Sequence, residues 1–226
     1  MLRLLTKSLN NIVLLAVLFS VLQVHAQAEP PQSRKSPGIA PAIVVDRKTR
    51  SLTVKDGSGK TIIETSVGIG RGGLGKKRIM NDYITPAGKF TVDLILYQPP
   101  FTAIDENLKK KYAADANAAS YLGSTAGLQK LLGNMNSIDF NGDGKPDTAY
   151  GAGYIGLDSK DAVTGPKFSK FNSTDYWFSI ALHGTAKESR NIGFANSGGC
   201  IQLPAGVLKQ LIEKRIVQIG SELTIR

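Results

Sequence analysis

The sequence predicts a mainly β domain of the α+β class, a compact, sandwich-like sheet structure with a helical insertion and one further helix near its C-terminus. Three observations lead to this fold class. Short apolar runs rich in Val, Ile and Thr fill residues 42–96 and are separated by turn-forming residues. Helix-forming residues replace them over much of residues 98–175. Apolar residues then recur at helical spacing after Pro204.

The N-terminus has the pattern of a cleavable secretory signal. Arg3 and Lys7 precede an apolar run from Ile12 to Leu22, and the small residue Ala26 closes the pattern. This run is shorter than the roughly 18 apolar residues that a membrane helix needs. We therefore expect a signal peptide at residues 1–26, no integral membrane span after its cleavage, and a periplasmic or otherwise exported protein. A retained N-terminal anchor is the alternative.

A proline-rich segment at residues 27–40 predicts a linker, and residues 41–226 then form one folded domain. Without residues 1–26 the chain keeps 26 basic and 18 acidic residues, a formal charge of +8. In an exported protein such a charge favours an anionic polymer or a membrane surface. The basic runs at 75–78 and 109–111 are typical of solvated loops or helix faces, and no nucleic-acid partner is expected.

The first half of the domain consists of strands. The runs AIVVD and SLTVKD, which begin at Ala42 and Ser51, predict two strands, and the turn at Asp56 and Gly57 predicts a hairpin onto the next run. Another strand follows the tight entrance at Pro86. We expect these strands to form one sheet with antiparallel pairing.

β character fades over residues 98–175, where we expect one or two helices capped by Asp105 or Ser124. This insertion is longer than a simple connection needs, so we expect it to act as a lid or to shape the entrance of a site. An apolar strand then ends at His183. Pro204 at a first helical position predicts the next helix, and the run SELTIR predicts a closing strand.

Cys200 is the only cysteine of the chain, and His183 is the one histidine that remains after residue 26. Exported proteins usually pair their cysteines, so a single one is either a buried small side chain or a reactive thiol. The glycines at 198 and 199 leave backbone N–H groups free, and a helix directly after the cysteine would favour the thiolate. A cysteine nucleophile needs a base, which His183 can supply. Each residue alone is better explained by packing, but together they indicate cysteine catalysis.

The stretch HGTAKESRNIGFANSGGCIQL, residues 183–203, resembles the signature of the YkuD-type L,D-transpeptidase catalytic domain. That signature is a histidine, a variable stretch, and then Ser or Thr followed by His, Gly and Cys. The resemblance extends to the opening hairpin at 42–70, the ITPAGKFTV strand at 84–92 and the closing strand at 220–226. It covers most of residues 41–226.

The resemblance implies a catalytic role for four positions. Cys200 matches the nucleophile of the family and His183 its base. Gly184 matches the residue whose backbone carbonyl orients the imidazole, a task that needs no side chain. The backbone N–H groups of Gly199 and Cys200 would hold the oxyanion of the tetrahedral intermediate.

Three neighbouring residues are expected to bind substrate. Ser197 matches the Ser or Thr of the signature, whereas Gly198 stands where the family usually has His and Gln202 where it often has Arg. The second departure removes a cationic contact to a substrate carboxylate. Because the nucleophile and base are both present, we interpret the chain as an active, divergent member of the family.

The resemblance further implies an exported, cell-wall-associated peptidoglycan L,D-transpeptidase. The Cys200 thiolate would attack the third residue of a tetrapeptide stem, release D-Ala and form a thioester that an amine of a neighbouring stem resolves. With water as acceptor the protein would be an L,D-carboxypeptidase or a wall-peptide hydrolase, and with a lipoprotein lysine it would be an anchoring enzyme. A catalytically silent peptidoglycan-binding module is the alternative from another class. No cofactor is required.

The segment DFNGDGKPD places oxygen-bearing side chains at positions one, three, five and nine of a loop; they are Asp139, Asn141, Asp143 and Asp147. This spacing is typical of loops that bind a structural calcium ion, although the bidentate Glu of the helix-loop-helix type is missing. A polar turn rich in Asx caps is the alternative. The sequence leaves both open.

Overall fold

The structure, a computed structural model, describes residues 40–158, 165 and 167–226. The predicted signal peptide at 1–26 and the linker up to residue 39 lie outside the described residues. Within the described residues, no helix combines the length and the apolar character that a membrane crossing requires.

The strands and α-helices follow one another along these residues. They are β1 (Ala42–Asp46), β2 (Ser51–Lys55), β3 (Thr61–Ser66), β4 (Ile69–Gly70), β5 (Gly88–Leu96), β6 (Ala103–Ile104), α1 (Glu106–Lys111), α2 (Ala116–Leu122), α3 (Thr125–Ser137), β7 (Tyr154–Asp158), β8 (Lys167–Phe171), β9 (Thr174–Phe178), β10 (Ile180–His183), α4 (Glu188–Asn191), β11 (Ala195–Ser197), β12 (Ile201–Gln202), α5 (Ala205–Glu213) and β13 (Glu222–Ile225). A short 3₁₀ turn spans Met80–Asp82.

A mixed nine-stranded sheet organises the domain. Its order is β12-β10-β7-β5-β13-β1-β2-β3, with β6 paired to β5. Most neighbours are antiparallel, as expected, but β1 pairs in parallel with β13 and β10 with β12. Two further pairs, β4 with β11 and β8 with β9, form separate two-stranded sheets. The mainly β, α+β fold class is confirmed.

The predicted hairpin of β2 and β3 is present, and its turn chemistry explains it. Asp56 Oδ1 accepts the N–H groups of Ser58 at 2.9 Å and of Lys60 at 3.1 Å, which closes the turn. Gly59 has a φ of +85°, a left-handed conformation that favours glycine. Ile43 and Val45 of β1 are buried while their neighbours are not, because successive side chains of a strand point to opposite faces.

Helices cover both faces of the sheet. Leu94 and Ile95 of β5 belong to different apolar clusters, since neighbouring side chains leave the strand on opposite sides. The cluster around Ile95 includes the apolar face of α5, and the cluster around Leu94 includes buried residues of α1, α2 and α3. Each fully buried leucine in these layers stabilises the fold by about 1.5–3 kcal/mol.

The segment 98–175 differs in part from its prediction. It contains three helices rather than one or two, and both expected caps are observed: Asp105 accepts the N–H groups of Asn107 and Leu108, and Ser124 accepts that of Gly127. The segment is not one inserted layer, however, because β7 lies inside the central sheet between β5 and β10. The helices, together with the β8–β9 hairpin that contributes Trp177 to the same apolar cluster, cover one face of the sheet.

Candidate active site

Sheet pairing brings the predicted nucleophile and base together. His183 ends β10, and Cys200 immediately precedes β12, the parallel neighbour of β10. The register pairs Leu182 with Ile201, which places Cys200 level with Ala181. Ala181 and His183 are two residues apart on one strand, so their side chains leave the sheet on the same face, and Cys200 packs against the apolar cluster of that face.

His183 is held by the backbone of its own neighbour. Its Nδ1 lies 2.6 Å from the carbonyl oxygen of Gly184, and because a carbonyl only accepts, Nδ1 carries the proton. The imidazole is 5% exposed, and this burial lowers the pKa of His183 to about 4. The ring is therefore neutral at pH 7, with Nε2 available to accept a proton.

The rings of two tyrosines lie next to the imidazole of His183. The ring of Tyr150 lies 5.0 Å from the imidazole, centroid to centroid, and the ring of Tyr154 lies 6.2 Å away in a nearly parallel orientation. The Tyr154 hydroxyl donates to the carbonyl of Ser179 at 3.1 Å and accepts the Ser179 N–H at 3.1 Å. The sequence did not show which tyrosines line the cleft.

The Cys200 thiol is half-buried, and Sγ donates to the carbonyl oxygen of Ser179 at 3.6 Å. Burial raises the pKa of the thiol to about 11, while a backbone hydrogen bond from Ala181 and the charge of Lys77 act to lower it. Both the Cys200 thiol and the His183 imidazole are therefore uncharged at pH 7. A catalytic role for Cys200 would require its proton to leave the sulfur before or during attack.

The expected activation by a helix N-terminus is wrong. β12 and Pro204 separate Cys200 from α5, which begins only at Ala205, and Pro204 is the N-cap rather than the first helical residue. The helix dipole acts within its first turn. Burial therefore dominates, and the pKa of the thiol rises instead of falling.

Hydrogen bonds close the loop before the nucleophile. The Ser197 hydroxyl donates to the Cys200 carbonyl at 2.6 Å and accepts the Gly199 N–H at 3.1 Å. The Gly199 carbonyl in turn accepts from the Thr85 hydroxyl at 2.8 Å, and that hydroxyl accepts the Gly70 N–H at 2.8 Å. The Gly199 N–H is thus engaged inside the loop, and the predicted oxyanion role would require Ser197 to release it.

Comparison with known proteins identifies the family. The model of the L,D-transpeptidase catalytic domain, YkuD, matches residues 40–225, which is most of the chain. The chain belongs to the YkuD L,D-transpeptidase family. A search among curated proteins gives no match.

Solved structures with similar folds include three of named organisms. Bd1075 of Bdellovibrio bacteriovorus is 18% identical, with 85% of this chain and 50% of that chain covered and a TM-score of 0.44. The L,D-transpeptidase of Xylanimonas cellulosilytica is 14% identical, with 88% and 65% covered and a TM-score of 0.39. The helical cell shape determining protein Pgp2 of Campylobacter jejuni is 12% identical, with 83% and 47% covered and a TM-score of 0.44. The chain spans about half of the length of Bd1075 and Pgp2.

The two positions that depart from the YkuD signature have different surroundings. A Cβ at Gly198 would meet nothing within 4 Å, so the family's histidine would have space there. Gln202 is buried, and its backbone pairs with Gly68 through two hydrogen bonds of 2.9 Å. Its Oε1 has no hydrogen-bond partner within the described residues. The Gln202 side chain is therefore enclosed beside Gly68, where a Cβ on that glycine would lie 2.8 Å from its Oε1.

One residue near the site was missed. Lys77, in the basic run expected to be solvated, is buried, and its Nζ lies 2.7 Å from Asp82 Oδ1. Asp82 also accepts backbone N–H groups from Arg78, Ile79 and Ile84, and with Lys77 these bonds hold the pKa of its carboxyl well below the usual range. The spacing of a lysine and an aspartate in a glycine-rich loop was the available signal, but solvated loops share it.

The residues of the calcium-loop hypothesis lie together in an exposed turn. Asp139 accepts the N–H groups of Gly142, Asp143 and Gly144, and Asp147 accepts that of Phe140 at 2.8 Å. Asn141 joins the turn by donating to Asp147 at 3.0 Å. In the part of the chain that the structure describes, no three His, Cys, Asp or Glu side chains are grouped as a metal site requires. Calcium binding stays a prediction.

Proposed function

We propose that this protein is a peptidoglycan L,D-transpeptidase that acts through a thioester on Cys200. One observation carries the proposal: Cys200 directly precedes β12, and His183 ends β10, the parallel neighbour of β12, on the same side of the sheet, with Gly184 holding the imidazole in the tautomer of a base. Membership of the YkuD family gives the reaction type and the substrate class.

The first half-reaction uses both residues. His183 Nε2 takes the thiol proton, and the sulfur attacks the carbonyl carbon of the third residue of a tetrapeptide stem. The tetrahedral intermediate collapses, the C–N bond to D-Ala breaks, and the imidazolium returns the proton to the leaving amine. A neutral imidazole and a neutral thiol, the forms that burial favours here, are the correct starting states for this transfer.

The oxyanion of this intermediate needs donors in the loop before the nucleophile. We assign the backbone N–H of Cys200 to this role, together with the N–H of Gly199 once the Ser197 hydroxyl turns away from it. Gly198, which is exposed, and Ser197, whose buried hydroxyl bonds within the loop, are proposed to contact the stem peptide. Gln202, which is buried, is proposed as the third substrate-binding position.

The second half-reaction is set by the acceptor. A stem amine that attacks the thioester gives a cross-link, water gives L,D-carboxypeptidase or hydrolase activity, and a lipoprotein lysine gives an anchored protein. We propose a periplasmic or otherwise exported location at the cell wall, which the basic charge of the chain and the substrate class support. A silent wall-binding module is the competing function.

Mass analysis of muropeptide products tests the proposal. The protein lacking residues 1–26 is incubated with tetrapeptide muropeptides, and the intact protein is weighed for an adduct. We expect a thioester adduct and released D-Ala with the natural chain, and neither with Cys200→Ala. Turnover by Cys200→Ala would overturn the proposal. A Cys200 that reacts with neither muropeptides nor iodoacetamide would favour the binding module.

A further inference from the structure

Lys77 points inward although both neighbouring basic residues are exposed. The run GKKR contains Lys76, Lys77 and Arg78, and only the middle side chain of these three is buried. Taking an ammonium out of water costs several kcal/mol unless a partner offsets it. A long, flexible lysine on a loop could reach solvent with ease, so its burial here requires a specific arrangement around the charge.

That arrangement fixes the ammonium in place. Lys77 Nζ donates to Asp82 Oδ1 at 2.7 Å and to the Met80 carbonyl at 3.1 Å. The carboxylate of Asp82 is itself held by three backbone N–H groups of the same loop. An ammonium has three donors, so one N–H remains beyond these two bonds.

The fixed charge lies beside the nucleophile loop. A Cβ at Gly199 would be 3.8 Å from Lys77 Nζ, and Gly199 directly precedes Cys200. The two loops are fastened to each other, because the Arg71 N–H donates to the Ser197 carbonyl at 3.1 Å and Thr85 donates to Gly199. The ammonium therefore cannot drift away from the site while these bonds hold.

The other titratable groups around Cys200 carry no fixed charge. Tyr150 and Tyr154 interact with Cys200, and burial raises the pKa of both phenols well above the usual value, so both are neutral at pH 7. His183 is neutral at pH 7. Of the charged side chains, Lys77 is the one whose effect lowers the pKa of Cys200. It offsets part of the cost of forming a thiolate in a buried site.

We propose that Lys77 is a positioning residue for the reaction, whose ammonium, held by Asp82 and the Met80 carbonyl beside Gly199, stabilises negative charge on the Cys200 sulfur and on the oxyanion that follows. This inference rests on the proposed function for the catalytic role of Cys200. It gives the site a cation from the opposite loop, in a chain whose residue 202 is Gln rather than Arg.

The rate of Cys200 alkylation by iodoacetamide, measured against pH on the protein lacking residues 1–26, tests the proposal without any wall substrate. Lys77→Gln keeps a hydrogen-bond donor for Asp82 but removes the charge, and Lys77→Arg keeps the charge. We expect Lys77→Gln to move the midpoint of the profile up by about one pH unit, with about tenfold slower alkylation below the midpoint. Lys77→Arg, which keeps the charge in a larger group, should raise the midpoint less than Lys77→Gln does. Lys76→Gln at the exposed neighbour should stay within about twofold of the natural chain.

A Lys77→Gln profile that matches the natural chain, in a variant with an unchanged melting temperature, would overturn the proposal. Should Lys77→Gln not fold, Lys77→Met, which fills a similar volume without a charge, is measured in its place and should show the same upward shift of the alkylation midpoint. A Lys77→Met midpoint equal to that of the natural chain overturns the proposal. If the alkylation profiles are as expected but the protein does not turn over muropeptides, the proposed function is refuted and the role of Lys77 is not.

Discussion

The ring of Tyr154 lies nearly parallel to the imidazole of His183, with their planes inclined by 14° and their centroids 6.2 Å apart. The hydroxyl of the same tyrosine is bonded to Ser179, whose carbonyl accepts the Cys200 thiol. One side chain therefore stacks near His183 and holds Ser179, the residue whose carbonyl fixes Cys200. Tyr154 belongs to β7, the strand that follows the three helices and lies inside the central sheet. The surroundings of both His183 and Cys200 therefore depend on β7.

Replacing Tyr154 by Phe tests this coupling. The change removes a hydroxyl that satisfies the N–H and carbonyl of Ser179 and interacts with its Oγ at 2.8 Å. Because an unsatisfied buried polar group costs about 1–3 kcal/mol, we expect a comparable loss in the free energy of unfolding, measured in urea. We also expect slower thioester formation, since the thiol loses its fixed partner.

Tyr150→Phe is the matched control for Tyr154→Phe. Its ring also contacts His183, at 5.0 Å, but no hydrogen bond anchors it to Ser179. We expect a smaller change in both unfolding and thioester formation. Equal effects of the two variants would contradict the role assigned to the Tyr154 hydroxyl.

Gly199 and Gly198 should respond differently to alanine. Gly199 has a φ of +128°, and its Cβ would lie 3.2 Å from the Ile84 carbonyl oxygen, whereas a Cβ at Gly198 meets nothing within 4 Å. We expect Gly199→Ala to cost about 1–3 kcal/mol of unfolding free energy and Gly198→Ala less than about 0.5 kcal/mol. Chemical denaturation of the two variants measures both, and a larger loss for Gly198→Ala would show that the loop conformation is different.

Asp93 should make stability depend on pH. It is 6% exposed, neither carboxylate oxygen has a hydrogen-bond partner within the described residues, and burial followed by the charge of Asp158 raises its pKa to about 7. The folded state therefore holds this proton more tightly than the unfolded state. The contribution of protonated Asp93 to the free energy of unfolding is fully present below about pH 4 and is lost as the pH rises to about 7.

Asp93→Asn removes this titration. We expect its free energy of unfolding to exceed that of the natural chain by about 1–3 kcal/mol at pH 8 and to converge with it near pH 4. Urea unfolding at both pH values is the measurement, with Glu64→Gln, on an exposed strand position, as control. An Asp93→Asn variant that is less stable at pH 8 would show that the carboxylate has a stabilising partner.

The loop around Asp139 distinguishes calcium binding from a self-supported turn. The predicted calcium site should raise the melting temperature in calcium above that in chelator, an increase that Asp143→Asn should abolish. Thermal unfolding followed by circular dichroism measures this. Equal midpoints in calcium and chelator would establish the polar turn, held by the backbone N–H groups that its carboxylates accept.

Local signals made much of the fold predictable. The hairpin at Asp56, the helix caps at Asp105 and Ser124 and the apolar face of α5 all arise from residues within a few positions of one another. The number of helices was underestimated because a break at residues 112–115 divides α1 from α2 and resembles continuous helix in composition. The parallel pairs, β1 with β13 and β10 with β12, join strands that are separated in sequence, so local patterns could not indicate their pairing.

The sequence by itself determined the fold class, the family resemblance and the candidate pair of Cys200 and His183, because each depends on residue type and spacing. Only the tertiary structure determines the electrostatic surroundings of Cys200. Burial keeps its thiol protonated, the Ser197 hydroxyl accepts the Gly199 N–H, and the Lys77 side chain is buried beside the loop that precedes Cys200. The physical reason is that burial, charge and hydrogen bonding depend on which distant segments meet. Lys77 and Gly199 are far apart along the chain and become neighbours only when the two loops are fastened together.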